Sequence, residues 1–184
     1  MEKLNFETAF NYPFNRAKGM WNILWILVPI IGWFALGGYG VRIIKEFIKG
    51  EFKQLPIFEF ESDLKLGFMM FLKAIPFMIV YIIVTAILDK MDSWAAELVN
   101  LLIGLFIVPM LTINFLNKET VNSFFEFKIL KSVTNNFRDY IITLLKSILL
   151  GIIFLIMWIV LVGIPAGAFT KNIFIADFYR RRVK

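Results

Sequence analysis

The chain has 184 residues, a formal net charge of +6 and a hydrophobic content of 59%, above the roughly 45–50% of soluble domains. This length leaves room for one helical bundle, so residues 1–184 are predicted to form a single integral membrane domain. Cysteine and histidine are both absent, which excludes disulfides, thiolate metal sites and the usual Cys–His, Ser–His and zinc-water chemistries. No acid–base pair lies in any of the apolar blocks described below either, so we expect no catalytic residue, no metal site, no cofactor and no enzymatic activity.

The N-terminal segment, Met1–Gly19, is not typical of a signal peptide. It mixes acidic and basic residues, and no small-x-small cleavage site follows it. We expect this segment to be retained. Three phenylalanines at four-residue spacing, beginning at Phe6, predict a short helix that Pro13 ends or bends.

Long apolar blocks dominate the rest of the chain. They run approximately over Met20–Ile44, Leu66–Leu88, Leu98–Phe115 and Ser147–Phe169. About 20 apolar residues in a helix cross the roughly 30 Å of hydrocarbon in a bilayer. The blocks meet or approach that length, so they place the protein in a membrane. The two middle blocks are predicted to be full spans.

Basic residues are distributed unevenly between the blocks. The segments Arg42–Lys65 and Lys118–Lys146 carry five each, whereas the acidic turn Asp89–Glu97 carries one. Cytoplasmic loops are enriched in Lys and Arg, and four simple spans would put both basic segments outside. Both basic segments become cytoplasmic if the first and last blocks each enter and leave the membrane on the same side. Both termini are then cytoplasmic in a multi-pass protein of the cell membrane.

Helix-breaking residues occur within both end blocks. Pro29 and Gly32 interrupt the first, and Gly163, Pro165 and Gly167 interrupt the last. We predict an all-α membrane bundle with broken or re-entrant helices at both ends. A kinked single span at each end is the alternative. The two interrupted segments also resemble each other, as a weak internal repeat would.

The segment Asn122–Asn136 is predicted to be an amphipathic helix. Phe125, Ile129 and Val133 share one helical face, and the charged residues lie elsewhere. That pattern suits a helix lying in the lipid headgroups on the cytoplasmic side.

The first part of the chain also contains a series of mainly aromatic, proline and glycine residues at characteristic spacings. They are Tyr12-Pro13-Phe14, Trp21, Pro29 to Gly32, Gly38-Tyr39 with Arg42, Gly50, Leu55-Pro56, and Asp63 to Gly67. In these residues the stretch from Phe10 to Pro76 resembles a family of small prokaryotic membrane proteins, catalogued as domain-of-unknown-function family 4013. The resemblance implies a polytopic membrane protein without an established activity. It supplies no catalytic residues.

Three polar residues within or beside the predicted spans are candidate intramembrane sites. Lys73 interrupts an otherwise apolar block, and a charge in a span is a functional-site hypothesis by default. Alternatively, its four-carbon stem could snorkel to the interface. Asn100 and Asn114 flank the third block, where each could form a hydrogen bond between helices.

Small residues form two candidate packing surfaces. The glycines concerned are Gly32, Gly37, Gly38, Gly40, Gly163 and Gly167. Without a side chain they allow another backbone to approach closely, as in membrane helix pairs. We expect the two surfaces to pack on each other or on a partner. Backbone freedom at a bend is the alternative.

Charged clusters complete the candidate list. The tail residues Arg180, Arg181, Arg182 and Lys184 are expected to attract anionic lipid headgroups. The acidic residues Glu51, Glu59, Glu61 and Asp63 are expected to form a solvated charged face rather than a cation site. Nucleic-acid binding is not expected, because the positive charge follows the topology and no folded basic domain accompanies it.

Two functional hypotheses from different classes remain. The first is a non-enzymatic accessory or scaffold subunit that binds membrane lipids, a partner membrane protein or further copies of itself. The alternative is a small transporter or channel built around a polar site at the bilayer midplane. A polar cavity that holds Lys73, Asn100 or Asn114 would favour the alternative.

Overall fold

The structure is a computed structural model that describes residues 3–183, and this part of the chain is helical and contains no strand. The α-helices are α1 (Phe6–Asn11), α2 (Ala17–Met20), α3 (Ile31–Lys49), α4 (Phe60–Lys90), α5 (Trp94–Leu102), α6 (Val108–Lys118), α7 (Leu130–Asn135), α8 (Phe137–Ile156), α9 (Gly163–Thr170) and α10 (Ile173–Arg182). A π-helical turn, Ile103–Ile107, joins α5 to α6 in one continuous helix. The predicted all-α class is confirmed.

Three helices are long and apolar enough to cross a membrane. They are Phe60–Lys90, Trp94–Lys118 and Phe137–Val160. The first two contain the predicted spans, but the third was expected to begin only at Ser147. It begins ten residues earlier because the apolar residues before Lys146 continue the same helix as α8. By length and composition there are therefore three candidate spans rather than two.

The first end block is broken next to Pro29. A 3-10 helix, Trp21–Leu27, precedes the break, and α3 follows it. Between them Ile30 has a φ of +64°, which is unusual for a β-branched residue. A Cβ built on Gly32 would lie 1.8 Å from the carbonyl oxygen of Trp25. The chain can fold back here only because residue 32 has no side chain.

The last end block is broken in a similar way. A 3-10 helix, Met157–Val160, ends at Leu161, which has a φ of +60°, and α9 begins two residues later. A Cβ on Gly163 would lie 2.0 Å from the carbonyl oxygen of Phe154. Both breaks therefore combine a 3-10 turn, an apolar residue at positive φ and a glycine two residues further on.

Helices α3 and α4 cross in close contact at a pair of glycines. A Cβ on Gly38 would lie 1.9 Å from the carbonyl oxygen of Asp63, and a Cβ on Gly67 would lie 1.8 Å from that of Phe34. Small residues at a helix crossing let the two backbones touch, which is how membrane helices commonly pack.

The C-terminal helix α10 lies at the centre of the core. Its residues from Ile173 to Arg180 are all buried, and it packs against α3, α6 and α8. The sequence had suggested a basic tail at the membrane surface. The helix is buried instead because its apolar and aromatic residues pack into the core, and its charged residues pair with one another and with Asp139.

The predicted amphipathic helix over Asn122–Asn136 does not form as one element. The structure has two short 3-10 turns, Val121–Phe125 and Phe127–Ile129, before α7. The ring of Phe124 stacks between Phe77 and Phe115, with centroids 4.2 and 4.0 Å away. Packing against α4 and α6 therefore overrides the local helical pattern.

Candidate functional site

Lys73 is a residue of α4, and its side chain contacts the C-terminal end of the continuous helix Trp94–Lys118. Its ammonium group donates a hydrogen bond of 2.9 Å to the backbone carbonyl of Glu119, the residue that ends the helix with a φ of +55°. The carboxylate of Glu119 is paired in turn with Lys45. Because the last carbonyls of a helix carry partial negative charge, a cation is stabilising there. The ammonium group of Lys73 thus occupies the position of a helix C-cap.

Asn114 is completely buried and uses both ends of its amide. The NH2 group donates to the backbone carbonyl of Ser123 at 2.7 Å and to the carboxylate of Glu126 at 3.2 Å. The amide oxygen accepts a hydrogen bond of 2.6 Å from the hydroxyl of Tyr179. The amide has two N–H donors and one acceptor oxygen, so the residue joins α6, the following 3-10 segment and α10.

Glu126 continues this cluster toward solvent. It pairs with Lys118 as well as with Asn114. The hydrogen bond from Lys118 and then that from Asn114 lower the pKa of its carboxyl below the ordinary 4.5. The cluster is therefore anchored by an ionised carboxylate at neutral pH.

Asn100 behaves differently from Asn114. It lies in α5 and is partly exposed, and its side chain forms no hydrogen bond with any residue in the described range 3–183. The structure does not bring the three candidates together: Lys73 caps α6, Asn114 joins three elements of the core, and Asn100 lies on an outer surface.

The predicted packing glycines have different surroundings. Gly32 and Gly163 lie at the two chain reversals, and Gly38 lies in the α3–α4 crossing. Of the remaining three, Gly167 has the Cβ of Phe154 at 3.5 Å and Gly37 has the Cα of Gly67 at 4.0 Å, measured from a built Cβ. Gly40 has nothing within 4 Å.

Gly67 was missed as a packing residue. An isolated glycine inside an apolar helix pattern costs about 1 kcal/mol relative to alanine. That cost could have indicated a packing reason, but no feature of the sequence indicated which helix Gly67 would contact.

The tail arginines form ion pairs within the protein. Arg180 and Arg181 pair with Asp177 at 2.7 and 2.8 Å, and Arg181 also reaches Asp139 at 2.7 Å. The side chains of Arg180 and Arg181 are each 9% exposed, against 39% for that of Arg182. Lys184 lies outside the described residues. Among the three described arginines, Arg182 therefore presents the most surface to a lipid headgroup.

The same cluster ties the two ends of the chain together, which the sequence did not indicate. Lys3 pairs with Asp139 at 2.6 Å, and the backbone N–H of Leu4 donates to Asp177 at 3.3 Å. An aspartate inside the aromatic sequence of α10 was the only hint of such a buried network.

One carboxylate of the acidic cluster around the start of α4 belongs to a buried ion pair with α3. Asp63 is completely buried, and both its oxygens accept from the guanidinium of Arg42, at 2.6 and 2.7 Å. It also accepts from the backbone N–H of Glu59 at 2.9 Å. The expectation of a solvated face is therefore wrong for Asp63. Within residues 3–183 no three metal-binding side chains gather in a group that could hold an ion.

These observations define the class of the chain as an all-helical integral membrane protein. The model of the family DUF4013, described as a protein of unknown function, matches residues 22–98, so this part of the chain is similar to that family. The match covers the first helix break, the α3–α4 crossing and the start of α5, and it confirms the resemblance drawn from the sequence. No curated protein and no solved structure matches the chain significantly.

Proposed function

We propose that the protein is a non-enzymatic accessory or scaffold subunit of the cell membrane. In this proposal its apolar outer surfaces contact lipid or membrane-embedded protein. Its apolar core, with a few buried polar contacts, holds the helices in a fixed arrangement.

The observation that carries this proposal is the use of the intramembrane polar groups. Lys73 and Asn114, the strongest candidates for a transport site, form hydrogen bonds with helix ends and core residues. The outer surfaces are instead apolar. In the most apolar stretches of the three candidate spans only 0, 28 and 22% of the residues are buried within the protein. Such helices need lipid or another protein around them.

We further propose that both end blocks are re-entrant hairpins with cytoplasmic ends. For the first block, the side chain of Asn15 donates to the carbonyl of Lys53 at 2.7 Å, so the residues before and after the block are neighbours. For the last block, Asp139 and Arg181 form an ion pair across the same kind of reversal. Segments that meet in this way lie on one side of a bilayer, as the distribution of basic residues favours.

Single-cysteine labelling tests the role of Lys73. The chain contains no native cysteine, so Lys73→Cys and the control Lys65→Cys can be compared directly with a membrane-impermeant maleimide. The scaffold proposal expects labelling from the cytoplasmic side only, and more slowly for Lys73→Cys at its partly buried site than for Lys65→Cys at an exposed one. Labelling of Lys73→Cys from both sides, or labelling that a solute blocks, would reveal a water-filled path and favour a transporter.

The hairpin topology has its own test. Asn15→Cys and Lys53→Cys should be labelled from the same side of right-side-out and inverted vesicles, with Ser93→Cys in the acidic turn labelled from the other. If Asn15→Cys and Lys53→Cys react from opposite sides, the first block is a kinked single span.

A further inference from the structure

We propose that two copies of the chain associate in the membrane through α5, with the side-chain amide of Asn100 paired across a twofold axis. This proposal rests on the scaffold role above and names its partner as a second copy.

The first observation is the contrast between two asparagines in one continuous helix. Asn114 has three hydrogen bonds, whereas the side chain of Asn100 has none within the described residues 3–183. At 1.5 Å per residue, Asn100 lies about 9 Å along the helix from Trp94. That places it one turn deeper than Glu97, inside the apolar part of the candidate span. A polar side chain at that depth is stabilised by a hydrogen-bond partner on another helix, since lipid tails offer none.

The second observation is the open backbone one turn away. A Cβ built on Gly104 would have no atom within 4 Å, so this part of the helix is free to take a close neighbour. Around it lie exposed apolar residues, among them Leu101, which is 56% exposed. A small residue next to a polar one is the combination that favours helix association in membranes.

The chemistry of the amide points to a second copy. An asparagine side chain both donates and accepts hydrogen bonds, so two of them related by a twofold axis satisfy each other with two equivalent bonds. Symmetric dimers use this kind of self-complementary surface. An acyl chain offers neither a donor nor an acceptor.

Disulfide trapping in native membranes tests the proposal. The reporter is Leu101→Cys, which leaves both Asn100 and Gly104 intact, and the control is Leu102→Cys, on the side of the helix opposite Asn100 and Gly104. Both are expressed in the full chain and oxidised with copper phenanthroline. We expect a disulfide-linked dimer for the Leu101→Cys variant and much less for the Leu102→Cys variant.

Adding Asn100→Leu to the reporter should lower the dimer yield. Each interhelical hydrogen bond in a membrane raises the association constant roughly threefold, so loss of both bonds should lower it roughly eightfold. Asn100→Gln retains an amide and should keep most of the dimer. Detergent elution profiles verify that both variants are folded.

Several results would overturn the pairing. They are equal trapping at positions 101 and 102, a dimer yield insensitive to Asn100→Leu, or trapping of a protein of a different mass in place of the second copy. None of them changes the labelling pattern of Lys73→Cys, so failure of the dimer is distinguishable from failure of the scaffold role.

Discussion

Arg42 on α3 and Asp63 at the start of α4 form an ion pair with two parallel hydrogen bonds, 2.6 and 2.7 Å long. Asp63 is completely buried, and its own carbonyl contacts Gly38 in the crossing of the two helices. The ion pair and the glycine contact thus both stabilise the packing of α3 against α4, and both involve Asp63. Bidentate pairs of this geometry fix orientation as well as charge.

Removal of Arg42 should therefore be costly. Arg42→Met leaves a buried carboxylate without its partner, and breaking a buried pair in this way costs about 3–5 kcal/mol. The measurement is thermal unfolding in detergent. The double variant Arg42→Met with Asp63→Leu should recover much of the loss, because it also removes the unpaired charge. A double variant that is no more stable than the single one would contradict this account.

The glycine crossing predicts a second, position-specific effect. Gly67→Ala puts a methyl group 1.8 Å from the carbonyl oxygen of Phe34, so α3 and α4 must separate, at a cost of about 1–3 kcal/mol. Gly40→Ala is the matched control, since nothing lies within 4 Å of its built Cβ. There the higher helix propensity of alanine should stabilise by up to about 1 kcal/mol. Equal effects at the two positions would argue against close contact at residue 67.

The hydroxyl of Tyr140 supplies a hydrogen bond that Pro109 cannot. Proline has no N–H to donate to the carbonyl four residues earlier, which is that of Leu105, and Tyr140 donates to this carbonyl at 2.8 Å. Tyr140→Phe removes that buried donor, so we expect a loss of about 1–3 kcal/mol in unfolding free energy. In Tyr81→Phe the hydroxyl removed has no hydrogen bond within residues 3–183. If neither variant changes the unfolding free energy, the Leu105 carbonyl must have another hydrogen-bond donor.

The helices themselves were largely predictable from sequence, because apolar length and prolines act locally. The breaks beside Pro29 and Gly163 and the two middle spans follow from such local signals. The membrane class also followed from composition alone.

The tertiary roles were not predictable. Whether Arg181 points to solvent or to Asp139 depends on where α10 packs, and the α10 sequence, an apolar and aromatic stretch that ends in three arginines, fits a membrane surface equally well. Lys73 posed the same difficulty, since its partner lies 46 residues further along the chain. The chemistry of each side chain marked these residues as candidates, but only the packing of the helices identified their partners.

The lowered pKa of the Glu126 carboxyl predicts a stability change with pH. Its pairing with Lys118 and Asn114 contributes stability at any pH above the ordinary value of 4.5. That contribution is lost as the pH falls from there through the lower pKa of the folded state. Glu126→Gln should therefore lower the unfolding temperature at pH 7 and reduce its fall between about pH 5 and pH 3. Glu7→Gln, at an exposed site without an ion pair among the described residues, should leave both unchanged.

The tail arginines separate a structural role from lipid attraction. Arg181 is 9% exposed and bridges two carboxylates, so Arg181→Gln should cost about 1.5–3 kcal/mol, the value of hydrogen bonds to charged groups. Arg182 is 39% exposed, and a pair that close to solvent contributes about 0–1 kcal/mol. Unfolding in neutral detergent, with and without added anionic lipid, measures both. If the main role of these residues were to hold headgroups, the two variants would be equally stable in neutral detergent and would lose the stabilisation by anionic lipid alike. The ion pairs of Arg181 predict instead that its substitution destabilises the protein in either condition, because the groups it holds together belong to α8 and α10.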